Sequence, residues 1–264
     1  MDILRFKVDS LKIEVHPDRV SAGRAAAQAA AEAMQRLASE LDRFGVVFAT
    51  GASQLAMLRS LTDLPGLPWS RIVGFHLDEY VGLDEHHPAS FRRYLREHLT
   101  SRVQMRIFHE IDGSSADPAA VCRDYAEKLL GAAPRLCLLG IGENGHLAFN
   151  EPAEADFADP VDVKVVTLDG ACRQQQTAEG WFGSIVEVPA NAITVTIPAI
   201  MRISRLILSV PGERKAEIMK RVLTAPIAPG CPATILRTHP DATVYLDPAS
   251  AELLRDVDGR IAVR

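Results

Sequence analysis

Residues 136–152 read LCLLGIGENGHLAFNEP, and the fold turns on what the glycines in this stretch do. Gly140, Gly142 and Gly145 follow an apolar run at the spacing G-x-G-x-x-G, the fingerprint of a dinucleotide-binding turn. Such a turn places its third glycine on a helix packed against the preceding strand. Here Gly145 leads into HLAFNEP, and Pro152 disfavours a continuing helix before one of ~10 residues can form. No clear acidic residue ends a second strand to complete the fingerprint. The glycines are read instead as letting the backbone turn sharply and approach a small ligand. They follow a short buried strand, and the loop after it carries His146 and Glu151.

The same strand-then-loop unit recurs on both sides. Upstream, Ala27, Ala30, Met34, Leu37 and Leu41 recur at steps of three and four, one apolar face of a long helix, with Gly45 as its stop signal. Strand 46–50 (VVFAT), a TGAS turn and a helix marked by Leu55, Leu58 and Leu61 follow. Strand 71–77 precedes a helix opened by Pro88, and Asp117-Pro118 is an N-cap and N1 pair for the next helix. Downstream, strands are expected at 161–168, 192–198, 205–210 and 243–246, with helices from Asp169 and over 213–223. Alternating strands and helices imply an α/β fold: a single domain over 1–264, doubly wound and Rossmann-like, its mainly parallel sheet covered by helices on both faces. Ligands of such sheets gather at the carboxyl ends of the strands.

Composition narrows the partners. Of 264 residues, 47% are hydrophobic and 24% charged, enough for a sizeable core and unlike a disordered chain. Twenty-nine basic against 34 acidic residues give −5, with no run of Lys or Arg, so neither a nucleic-acid nor an anionic-membrane surface is expected. No apolar stretch approaches ~18 residues, which argues against a membrane span, and the N-terminus lacks a signal-peptide core. Cys122, Cys137, Cys172 and Cys231 are far apart and read as reduced thiols of a cytoplasmic protein, with no metal site. The sequence leaves a homo-oligomer open.

Four loops carry chemistry. In GENGH, a carboxylate five residues after His146 suits an imidazole whose tautomer and basicity must be fixed for general acid/base work. In 75-FHLDEYVGL-83, Asp78 and Glu79 stand at a strand end among apolar residues. An apolar setting raises a carboxyl pKa and suits proton abstraction from carbon. Neighbours in extended chain point opposite ways, so Asp78 is taken to face the site. In 48-FATGASQ-54, Thr50, Gly51, Ala52 and Ser53 offer amides at a helix N-terminus, and in PGERK, Arg214 and Lys215 sit in a first helical turn where a bound anion would suit them.

These loops, in this order from about Gly45 to Asp247, resemble the glucosamine-6-phosphate deaminase family, relatives of 6-phosphogluconolactonase. LDEYVGL with HPASF, and GENGHLAFNEP, carry the resemblance. It implies a cofactor-free conversion of glucosamine 6-phosphate, or a close hexosamine 6-phosphate, to a ketose 6-phosphate plus ammonia. On that resemblance His146 opens the sugar ring, Glu151 orients His146, and Asp78 moves the C2 proton to C1. Thr50, Gly51, Ala52, Ser53, Gly145 and Lys215 are expected to bind substrate, with Arg173 the nearest arginine to the family's phosphate ligand. Asn144 stands where the family usually has aspartate, and is expected to accept a hydrogen bond from the imidazole; Ala52 replaces a glycine. The alternatives are a lactone hydrolase of the 6-phosphogluconolactonase type and a non-catalytic sugar-phosphate-binding protein.

Overall fold

The computed structural model of the chain describes residues 3–254, residue 179 excepted. Residues 1–2, 179 and 255–264 of the expected domain span lie outside the described residues. In chain order the elements are β1 Leu4–Val8, β2 Leu11–Val15, α1 Arg19–Glu40, β3 Phe44–Phe48, α2 Leu55–Asp63, β4 Ile72–His76, β5 Asp78–Tyr80, α3 Phe91–Leu95, β6 Ile107–His109, α4 Pro118–Ala132, β7 Leu136–Leu139, β8 Val163–Thr167, α5 Gly170–Ala178, β9 Asn191–Val195, α6 Ile197–Met201, β10 Arg205–Ser209, α7 Ala216–Thr224 and β11 Ala242–Leu246. Among the described residues no helix is long and apolar enough to cross a membrane.

Eight strands form the main sheet in the order β1-β2-β11-β10-β7-β3-β4-β6. All its pairs are parallel except β1–β2. Strand periodicity divides the core between its two faces. Val46 and Phe48 of β3, with Leu136 and Leu138 of β7, pack with Ala26, Ala30 and Met34 of α1 and Leu58 of α2. Val47, Cys137 and Leu139 point the other way, toward Tyr125 of α4 and Met219 and Val222 of α7. The expected helices on both faces of a mainly parallel sheet are therefore present.

Part of the expected sheet is elsewhere. The strands read at 161–168 and 192–198 belong to a second, three-stranded antiparallel sheet, β5-β9-β8. Its own core gathers Tyr80, Phe149, Val166, Phe182 and Ala192. Val165 and Thr167 are exposed, so β8 is covered on one face only. Gly45 is not a helix stop: α1 ends at Glu40, and Gly45 lies inside β3, where a Cβ would come within 2.8 Å of Pro134 Cα. Pro88 precedes rather than opens its helix, since Ser90 is the N-cap of α3. Asp117 does cap α4, its carboxylate accepting from Ala120 N.

The topology fixes where a ligand can sit. From β3 the chain moves outward through β4 to β6, then returns to β7 on the other side of β3 and proceeds through β10 to β11. The direction of winding reverses between β3 and β7, and the crevice beyond their carboxyl ends is the natural ligand position of such a sheet.

Helices α1 and α2 come close at Gly23 of α1, where a Cβ would meet Ala56 Cβ at 2.7 Å and Met57 N at 3.0 Å. Gly23→Ala gains ~1 kcal/mol of helix propensity, but overpacking costs ~1–3 kcal/mol. The expected net effect is a lowered urea midpoint; an unchanged or raised midpoint would show that α1 and α2 separate freely.

Candidate active site

At the switch point lies a cavity of about 370 Å³. Its walls come from the loops after β3 (Thr50–Ser53), β7 (Gly140–Gly142, His146) and β10 (Gly212–Lys215), with Asp78 at the start of β5. Of the residues expected from sequence, Asp78, His146, Thr50, Gly51, Ala52, Ser53 and Lys215 all line it.

The glycines after β7 serve the histidine. A Cβ on Gly142 would lie 2.2 Å from Cε1 and Nε2 of His146, so only a bare backbone lets the ring lie where it does. Gly142 N also donates to His146 O at 3.0 Å, closing the loop. No helix follows; residues 146–150 form a tight turn with a Leu147–Asn150 bridge. Asn150, which the sequence reading passed over, holds that turn against β9: its Nδ2 donates to Leu147 O at 2.7 Å and to Val195 O at 2.8 Å.

His146 Nδ1 and Glu151 Oε1 are 2.7 Å apart, with the carboxylate 1% exposed. Neither atom has an aligned hydrogen bond among the described residues, so the pair is a close polar contact along the Nδ1 edge of the ring. Burial works to raise the Glu151 pKa, but the imidazole, Asn144 and the Cys172 thiol outweigh it and hold the carboxyl below its ordinary value. Asn144 differs from expectation. It does not bond the imidazole; its Oδ1 accepts from His146 N at 3.0 Å, and its Nδ2 donates to Glu151 Oε2. Glu143, next to it, forms an ion pair of 3.7 Å with Arg214.

Asp78 and Glu79 do point apart. Glu79 is fully buried and caps α3, accepting from Ser90 Oγ at 2.8 Å, Arg92 N at 2.9 Å and Phe91 N at 3.2 Å. Asp78 borders the cavity, 7% exposed, and its carboxylate has no hydrogen bond among the described residues. Burial, with the neighbouring Glu79 charge, pushes the Asp78 pKa well above the ordinary carboxylate range. A carboxylate desolvated in this way is a stronger base toward a carbon acid.

The far end of the cavity suits an anion. Gly51 has φ +103°, and the amides of Thr50, Gly51, Ala52 and Ser53 make no hydrogen bond among the described residues. They precede α2, where an anion is favoured. Lys215 and Arg214 line the same cavity. Arg19, missed in the sequence, joins them: it lines the cavity, and its guanidinium donates to Ala52 O at 2.6 Å. Its position as the first residue of a helix carried no signal, because the loop it meets is 33 residues away in sequence. Two expected residues lie elsewhere. Arg173 donates to Val188 O and Ile185 O, bracing the segment after α5, because its helical position turns it away from the cavity. Gly145, at φ +94°, packs toward Cys231 and Ile218, with its carbonyl accepting from Ala233 N. Among the described residues, no cluster of three or more His, Cys, Asp or Glu side chains is placed to hold a metal ion.

The raised Asp78 pKa has a stability consequence. A carboxyl whose folded pKa exceeds its unfolded one contributes stability when protonated, and that contribution is lost as pH rises through the folded value. Asp78 therefore burdens the fold increasingly as pH rises from the unfolded value toward the folded one. Asp78→Asn is expected to melt at or above wild type at pH 7, by about 2–4 °C for each kcal/mol of desolvation relieved, with the gap closing in acid. A lower melting point at pH 7 would mean the charge is stabilised by partners other than those seen.

Residues 17–245 match the model of the family described as glucosamine-6-phosphate isomerases/6-phosphogluconolactonase. A glucosamine-6-phosphate deaminase of Pseudarthrobacter chlorophenolicus is 35% identical over 234 residues, 87% of this chain and 88% of the relative. One of Exiguobacterium sp. is 34% identical, spanning 82% of this chain and 83% of the relative. Among solved structures, a monomeric glucosamine-6-phosphate deaminase superposes with a TM-score of 0.83 at 29% identity, covering 91% of this chain and 99% of the other. A 6-phosphogluconolactonase of Thermotoga maritima gives 0.72 at 21% identity over 89% and 98% of the two chains, a likeness of fold.

Proposed function

The chain belongs to the glucosamine-6-phosphate isomerase/6-phosphogluconolactonase family, and on that premise we propose that it is an amino-sugar-phosphate deaminase, turning glucosamine 6-phosphate or a close hexosamine 6-phosphate into a ketose 6-phosphate and ammonia. The observation that carries this reading is the convergence of Asp78, the His146–Glu151 pair and an amide-rich anion site around one cavity. The setting we infer is cytoplasmic, with one domain spanning the chain. All the groups named come from a single protomer.

The chemistry needs each part. In the closed sugar the C2 proton is not acidic; opening the ring places an aldehyde at C1 and makes it so. His146 is placed to pass a proton between the anomeric hydroxyl and the ring oxygen, with Glu151 fixing the ring from its Nδ1 edge. Asp78 then takes the C2 proton and returns it to C1. The imine left at C2 adds water and releases ammonia, so no electrons are gained or lost overall. The Thr50–Ser53 amides with Lys215, Arg214 and Arg19 hold the phosphate, where hydrogen bonds from charged donors are the strong ones.

Ammonia release measured over a panel of hexosamine 6-phosphates, with no added cofactor, tests the reading. Turnover of at least one member is expected, and silence across the panel sinks it. 6-Phosphogluconolactone, run in parallel, separates deamination from lactone hydrolysis. Gly142→Ala forces the imidazole off its seat, and loss of acid/base catalysis is worth about 10²–10⁴-fold in kcat, so a variant within twofold of wild type would remove His146 from the mechanism. Arg19→Ala is expected to raise KM about tenfold with kcat little changed, the effect of one charged hydrogen bond to the bound anion.

A further inference from the structure

Helix α5 turns two side chains inward one helical turn apart. Cys172 reaches Glu151, and Gln176 reaches the cavity wall. Only 6% of Gln176 is exposed, so its amide is a buried polar group at a ligand-sized opening. Its Oε1 accepts a hydrogen bond of 2.7 Å from the Tyr80 hydroxyl. With the oxygen engaged there, the two N–H donors of Nε2 face the other way. Nε2 meets no acceptor among the described residues, and it is not one of the polar atoms sealed without a partner in the core. A donor pair left open on a cavity is a place for a ligand acceptor, since burying it unpaired is unfavourable.

Tyr80 is a firm support for this arrangement. It is fully buried, and its ring lies against Phe91 and Phe149, each at 5.1 Å, and Phe182 at 5.4 Å. It stands two residues from Asp78 on β5, so both side chains leave the strand on the same side. The N–H donors of Gln176 thus belong to the Asp78 wall of the cavity. They would repel an ammonium group and attract a hydroxyl or phosphate oxygen.

We propose that Gln176 contacts the substrate, its Nε2 donating to an oxygen of the bound sugar phosphate, and that Tyr80 is the positioning residue that sets the direction of the amide. This inference rests on the deaminase reading above and names a contact which that reading does not assign.

Wild-type ammonia release is read first; if no hexosamine 6-phosphate is turned over, the functional reading fails and this inference falls with it. With an active wild type, Gln176→Ala and the isosteric Gln176→Glu are compared, each with its melting temperature. Both are expected to lower kcat/KM about tenfold or more, and Gln176→Glu more than Gln176→Ala, because it sets an acceptor and a charge against the substrate's oxygens. Competitive inhibition by inorganic phosphate then identifies the oxygen: a weakened inhibition constant in Gln176→Ala places the contact on the phosphate, an unchanged one on a sugar hydroxyl, and either supports the contact. Gln176→Glu with wild-type melting and kcat/KM within twofold of wild type overturns it. Tyr80→Phe lets the amide turn over, so a smaller fall is expected, with no further fall in the Gln176→Ala background. Additive falls would remove Tyr80 from the positioning role.

Discussion

Glu151 carries its charge where water scarcely reaches, and the arrangement of the site follows from what keeps it there. A buried carboxylate with no partners would take up a proton instead of staying ionised. Here one oxygen lies against the Nδ1 edge of His146 and the other receives the Asn144 amide, with the Cys172 thiol nearby. Those groups come from the loop after β7 and from α5, so a single charge ties that loop to the helix that links β8 to β9 of the small sheet. The imidazole gains a fixed orientation in return, because the ring is trapped between that carboxylate and the bare Cα of Gly142. Asn150 supplies the mechanical part, anchoring the turn on β9 so that Glu151 cannot swing away.

Asp78 is the opposite case, and the contrast is what gives two carboxyl groups two tasks. Its neighbour Glu79 is saturated with hydrogen bonds at the N-terminus of α3, while Asp78 receives burial without donors. One strand thereby delivers a structural carboxylate on one side and a basic one on the other. The reversal of winding between β3 and β7 then places this strand end beside the histidine loop and the anion-binding turn. The small antiparallel sheet has the same purpose in space: pairing β5 with β9 fixes Asp78 at the cavity rim.

How much of this was legible in the sequence depends on the range over which each signal acts. The strands of the main sheet's centre were readable because burial on both faces leaves continuous apolar runs, as in Val46–Phe48 and Leu136–Leu139. Asp117-Pro118 and the opposed pair Asp78–Glu79 were readable because caps and pleats are local. The β1–β2 hairpin alternates with period two, LRFKV and LKIEV around Asp9 at φ 51°, but it is a weaker signal, because its half-exposed strands interleave charges and lack the continuous apolar run of the central strands. The second sheet was hidden for a different reason. β8 and β9 show the apolar content of strands, but which sheet a strand joins is decided by long-range pairing, and β5 is too short to announce itself. Arg19 was invisible for the same cause: the loop carbonyl it meets, that of Ala52, is 33 residues away in sequence.

Asn144 brings these threads to one point. Read from sequence, an asparagine in an aspartate's usual place looks like a lost charge beside the imidazole. In the fold the side chain faces Glu151 as well as the His146 backbone, and there the amide has an advantage, since it donates to the carboxylate where a second carboxylate would repel it. An aspartate in this geometry would need a proton, or would have to turn away, to coexist with an ionised Glu151. The asparagine therefore fits a loop in which the carboxylate set against the imidazole ring is that of Glu151 alone, with Asn144 as a donor to it. Seen this way the substitution does not weaken the pair that orients His146; it transfers the whole electrostatic task to one carboxylate and makes the donors around that carboxylate indispensable.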